Sequence, residues 1–88
     1  MAKAEVKMAF DPLKVIRRAL SYCGKSLGSR KVIALDFDEE ADILYVKFNH
    51  SKIADTEPLD EKGLVAASLD DSKRVVGLVI MQASRFSK

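Results

Sequence analysis

With 88 residues, one cysteine and one histidine, the chain has room for one small domain and none for an internal disulfide or for a zinc site built on Cys23 and His50. The formal net charge is only +2, and no apolar run approaches the roughly 20 residues of a membrane span, so no membrane partner is expected. A domain this small buries only about 60–65% of its unfolded surface, so its stability rests on apolar packing, which oligomerisation can extend.

The N-terminal M-A-K-A-E-V-K-M-A-F lacks the long apolar region of a secretory signal, and a lone thiol suits a reducing compartment, so the chain reads as cytoplasmic. Val6, Met8 and Phe10 alternate with Lys7 and Ala9, which fits a short edge strand or a tail. Charge is unevenly spread. Residues 1–31 carry eight Lys or Arg against two acids, whereas residues 32–88 carry seven against eleven. Such asymmetry marks a face for nucleic acid or an acidic partner, two mutually attracting halves, or a solvated helix face.

Asp11-Pro12 opens a helix: aspartate is a preferred N-cap, and proline at the first helical position sacrifices no hydrogen bond. Gly24 is a plausible stop. Between them Leu13, Ile16, Leu20 and Cys23 share one arc and are expected to face the core, with Val15, Arg18 and Tyr22 on the far side. On that stripe Cys23 reads as a small buried hydrophobe. Lys25–Lys31 is a connector rich in Gly, Ser and charge. Its G-K-S is not a phosphate-binding loop, because position 19 is alanine and a helix, not a strand, precedes it.

Alternating apolar residues then predict strands over Val32–Phe37, Ile43–Phe48, Leu64–Leu69 and Val75–Met81. Ile53–Leu59 contains Pro58, so it belongs on an edge or in a loop. Gln82–Lys88 can close a short helical turn. Short turns imply an antiparallel meander. One face carries Ile33, Leu35, Phe37, Leu44, Val46 and Phe48, then Val65, Ala67, Leu69, Val76, Leu78 and Ile80. The other is also partly apolar, through Val32, Ile43, Tyr45, Leu64, Val75, Val79 and Met81. One helix cannot cover both faces, so the second is expected to pack on another subunit, on the N-terminal segment or on a different protein. The expected oligomer face comprises Ile43, Tyr45, Leu64, Val75, Val79 and Met81.

D-E-E-A-D-I-L-Y-V-K-F (Asp38–Phe48), A-D-T-E-P-L-D (Ala54–Asp60), G-L-V (Gly63–Val65) and V-V-G-L-V-I-M-Q-A-S (Val75–Ser84) resemble a small prokaryotic domain-of-unknown-function family. Its pattern is roughly D-x-x-A-D-x-L-Y-[IV], T/S-E-x-[LV]-D, G-[IV]-[IV] and V-x-G-[IL]-E-[IV]-x-x-A-S. The resemblance spans about residues 36 to 86 and leaves the helix region 1–31 outside. This chain departs from the pattern where Val79 replaces an acid and where A-A-S-L-D follows Gly63-Leu64-Val65. Both changes make the sheet less charged and favour its further burial. The resemblance implies no established reaction. It suggests an antitoxin-type binding role, with a toxin-like protein as partner.

Asp36, Asp38, Glu40 and Asp42 recur at every second position, but a calcium loop starting at Asp36 would need glycine where Ala41 stands and glutamate where Lys47 stands. They read as a solvated turn that discourages aggregation. A serine hydrolase would have to use His50 and lacks a nucleophile elbow. No catalytic residue, cofactor or metal ligand is assigned. Lys14, Arg17, Arg18, Lys25, Arg30 and Lys31 form a basic patch able to meet phosphates, although only Tyr22 supplies an aromatic nearby.

The chain is therefore read as one α+β domain over residues 1–88. An N-terminal extension and helix (1–31) pack on a four-stranded antiparallel meander (32–88). Its expected role is a self-associating, non-enzymatic interaction module. The alternative is a nucleic-acid binder working through the basic helix.

Overall fold

The computed structural model describes residues 11–87, so the strand-or-tail reading of Val6–Phe10 lies outside the described residues. Helix α1 runs Pro12–Tyr22. Asp11 caps it as expected: Leu13 N–H donates to Asp11 Oδ1 at 3.0 Å, and the backbone at Asp11 is extended. The buried side is broader than one stripe. Ile16 and Leu20 face the sheet, with Cys23 half-buried beyond them. Val15, Ala19 and Tyr22 form a second stripe at i, i+4, i+7 that turns toward a short 3₁₀ helix, α2, at Ala83–Phe86. Tyr22 and Phe86 meet edge to face with ring centroids 5.6 Å apart. Leu13, expected in the core, is 43% exposed instead. The helix packs beside the sheet and α2, and Leu13 sits in its first turn at the margin of the buried arc.

Among the described residues the sheet has five strands, not four: β1 (Ala34–Asp38), β2 (Ile43–Lys47), β3 (Asp55–Pro58), β4 (Val65–Leu69) and β5 (Val75–Met81). All pairings are antiparallel, in the order β1-β2-β5-β4-β3. That order is not the expected sequential meander, because β2 pairs with β5 rather than with β4, the next strand expected after it. Pro58 cannot donate to a ladder, so β3 takes an outer edge. The longest strand, β5, takes the centre, with β2 on one side and β4 on the other. A register shift between Ser68 and Leu69 bulges the β4–β5 ladder. Beyond it, Asp70 accepts hydrogen bonds from the backbone N–H of Ser72 and of Arg74, both at 2.9 Å, and organises the β4–β5 turn.

Two residues before β1 break its alternation. Val32, expected on the far face, packs against the core, while Ile33, expected toward the helix, is exposed. Both precede Ala34, where regular pairing begins, so a period of two does not govern them. The core joins Val15, Ile16, Ala19 and Leu20 of α1 to Leu44 and Val46 of β2. Leu64, Val65, Leu78 and Ile80 continue it, and Ala83 and Phe86 close it.

Gly77 fixes how closely β2 and β5 approach. It pairs with Lys47, and a Cβ placed on it would overlap the Val46 carbonyl oxygen. Gly77→Ala is expected to destabilise the domain by about 1–3 kcal/mol, the usual range for overpacking. Denaturant midpoints of the two proteins measure it, and an unchanged midpoint would show that β2 can retreat freely.

Candidate functional site

The polar side chains of the motif-like stretches divide into those with internal partners and those without. Asp42 ends the β1–β2 turn with φ +57, a left-handed conformation that aspartate tolerates. Its carboxylate accepts from Ser84 twice, from N–H at 3.0 Å and from Oγ–H at 2.6 Å, and its carbonyl accepts from Ala83 N–H at 2.9 Å. The A-D and A-S pieces are thus two halves of one clasp across 42 residues. Asp60 works similarly. Its Oδ1 accepts from Val65 N–H at 2.9 Å, tying the end of the T-E-P-L-D piece to the G-L-V piece across Gly63, whose φ of +71 suits glycine.

Electrostatics around Asp60 follow from this geometry. Desolvation is the largest single influence and pushes its carboxyl up, but N–H groups of Val65, Leu64 and Lys62 and the nearby Tyr22 hydroxyl together outweigh it, leaving the carboxyl below its ordinary value. Asp60 Oδ2 is buried without a hydrogen-bond partner. Desolvation first, and Asp60 second, push the Tyr22 hydroxyl and the Cys23 thiol up. Cys23 is therefore protonated at neutral pH and is not an activated nucleophile. Asp70 is also lowered, first by the Arg74 N–H.

Tyr45 has no such internal role. Its neighbours Leu44 and Val46 are buried in the core, whereas Tyr45 is 41% exposed on the sheet face that α1 does not cover. There it pairs across strands with Val79, and Ile43 pairs with Met81. A hollow of about 590 Å³ extends this surface over Ala34, Asp36 and Lys47 to Ile53 and Thr56. Of the six residues expected on an oligomer face, Ile43, Tyr45, Val79 and Met81 are together on this side of the sheet. Leu64 is not, because it is buried in the core cluster, and Val75 is not, because it lines a cavity on the helix side. Sequence reasoning did not place Ile53 or Thr56 on this face; only the crossing of the chain after β2 brings them there.

The basic residues fall into two groups. Lys14, Arg17 and Arg18 are exposed on α1, and Lys25, Arg30 and Lys31 are exposed on the connector. Arg17 and Lys25 flank a shallow hollow with Ser21. Arg30 instead folds over the Phe48 ring, its Cζ 5.9 Å from the centroid. His50 is exposed. In the acidic turn, Asp42 is engaged with Ser84, and Asp38 accepts from Ala41 N–H at 3.2 Å. Among the described residues no three His, Cys, Asp or Glu side chains are grouped to hold a metal ion. Among the same residues no helix is long and apolar enough to cross a membrane.

Two outcomes test this division. Asp42→Ala is expected to cost about 2 kcal/mol through the loss of two charge-assisted hydrogen bonds, while Asp42→Asn keeps most of the stability, because asparagine also tolerates positive φ and can accept. Thermal unfolding separates the two variants. Because Asp60 has a lowered folded-state pKa, its stabilisation is complete above its ordinary value of about 4 and is lost as pH falls through the lower folded value. The stability difference between wild type and Asp60→Asn should therefore shrink in acid, and a difference that stays constant from pH 7 to pH 2 would contradict the assignment.

A family model described as "Protein of unknown function (DUF2283)" matches residues 34–84, more than half of the chain. No curated protein matches, and no solved structure matches.

Proposed function

We propose that this chain, which belongs to the DUF2283 family, is a non-catalytic interaction module that pairs with a second copy of itself through the sheet face that α1 leaves open. The observation that carries this reading is Tyr45. It is a large amphipathic side chain flanked by two core residues, and it stands exposed beside Val79 in an apolar hollow. Tyrosine in such a setting is a common anchor of protein interfaces. Charges on the same face support self-pairing over a foreign partner. Asp36 and Lys47 flank Tyr45 on opposite sides of the β1–β2 ladder, where Asp36 pairs with Tyr45 and Ala34 with Lys47. A two-fold axis near Tyr45 brings the Asp36 of each copy toward the Lys47 of the other.

Size sets the strength. Five strands about 4.8 Å apart and roughly five residues long present on the order of 400 Å² in projection, which puts the contact in the small, concentration-dependent class. An antitoxin-type role fits the same surface, with a toxin-like protein seated there in place of the second copy. Nucleic-acid binding through Lys14, Arg17 and Arg18 is the competing reading, supported by their shared exposure on α1.

Light scattering at rising protein concentration tests the proposal. The expected mass climbs from near 9.7 kDa toward twice that value and holds in high salt, because apolar association does not weaken with salt as phosphate contacts do. Tyr45→Lys with Val79→Lys should hold the protein at the lower mass while leaving its circular dichroism unchanged. A wild type that stays monomeric at every concentration would overturn self-pairing. Salt-sensitive binding of duplex DNA that Arg17→Ala with Arg18→Ala abolishes would favour the competing reading.

A further inference from the structure

On the opposite side of the sheet, Lys25, Ser26 and Arg30 of the connector and residues of the β3–β4–β5 end line a half-open cavity of about 310 Å³. Its walls are apolar: Leu20 from α1, Phe48 from the end of β2, Leu59 after β3, Ala67 and Leu69 from β4, and Leu78 from β5. Its polar lining is unbalanced. Lys25 and Arg30 come from the connector and Lys73 from the β4–β5 turn, against one acid, Glu57 of β3. Among the described residues, Arg74 and Asp70 form the one ion pair within 4.0 Å, so these three cations and Glu57 are not committed to pairs there. Arg30 is nonetheless positioned, because the Phe48 ring beneath its guanidinium holds the fork at the cavity.

We infer that this cavity binds a small organic carboxylate, its apolar body between α1 and the sheet and its carboxyl among Lys25, Arg30 and Lys73. The volume lies at the lower end of the range for ligand pockets, about 300–1,000 Å³, and so admits one ring or a short chain. The guanidinium fork matches a carboxylate bidentately. Glu57 reduces the excess to two positive charges, which disfavours ligands carrying more than two negative charges. The two hollows share only the buried Leu78 of β5 among their lining residues, and the charged groups of this site are all outside the Tyr45 face, so it stands independently of the self-pairing proposed above.

The probe is 3-phenylpropanoate, titrated into the ¹⁵N-labelled full chain and followed by amide chemical shifts, with 3-phenylpropanamide and 3-phenylpropylamine as neutral and cationic counterparts. Saturable shifts are expected at Leu20, Phe48, Ala67 and Leu69, with the amide at least about 10-fold weaker and the amine weaker still. Lys25→Gln with Arg30→Gln should weaken the acid about 10-fold or more, and Lys73→Gln alone should weaken it less. Lys14→Gln with Arg18→Gln removes the same charge outside the cavity and should leave binding unchanged. Well-dispersed spectra confirm that each variant folds. Absence of saturable shifts up to about 10 mM, equal affinity for acid and amide, or an equal loss in the Lys14/Arg18 control would each overturn the inference.

Discussion

The pairing of β2 with β5 is the contact on which the other elements depend. It joins residues 43–47 to residues 77–81 and carries Leu44 and Val46 onto Ile80 and Leu78, the middle of the core. On one side of it hangs the β1 hairpin, and on the other the local β3–β4–β5 run. The helix has its floor there, and Gly77 lets the two backbones approach as closely as they do. The Asp42–Ser84 clasp sits at one end of this pairing and locks the turn before β2 to the segment after β5. Registers set separately by two hairpins are thereby held to one alignment.

Much of this is legible in the residues. Asp11-Pro12 announces the helix start, alternation over Ile43–Met81 announces three strands, and Pro58 announces an edge. The strand order is not legible, because short turns make sequential pairing the natural reading and β2–β5 pairing is a choice between distant apolar strands. The width of the helix's buried arc was hidden for a related reason. Val15 and Ala19 are buried because α2 packs beside them, and nothing near residue 15 signals a partner some seventy residues away. Leu64 shows the limit of parity counting: it precedes the first paired residue of β4, so its side chain is free to turn into the core.

The polar residues carry a related lesson. Aspartates in a turn invite a reading as metal ligands or as solvated charge. Asp42 instead spends its carboxylate on a backbone N–H and a serine hydroxyl of the same chain, Asp60 spends one oxygen on a backbone N–H, and Asp70 does so within its own turn. Side chains that secure a fold and side chains that face outward then become separable by their partners alone. In the I-L-Y-V stretch the separation is sharp, since Leu44 and Val46 are consumed by packing and Tyr45 is not.

The two outer strands have a consequence for behaviour at high concentration. Among the described residues the sheet is open, with β1 at one end and β3 at the other; such a sheet offers a head-to-tail contact between copies, which does not close on itself but grows into a filament. Here β1 carries Asp36 and Asp38, and β3 carries Asp55 and Glu57 before ending in Pro58. Bringing one edge to the other sets carboxylates against carboxylates and meets a residue without an N–H to offer. Fibre growth along the sheet is thus opposed at both ends by the side chains of its own margins.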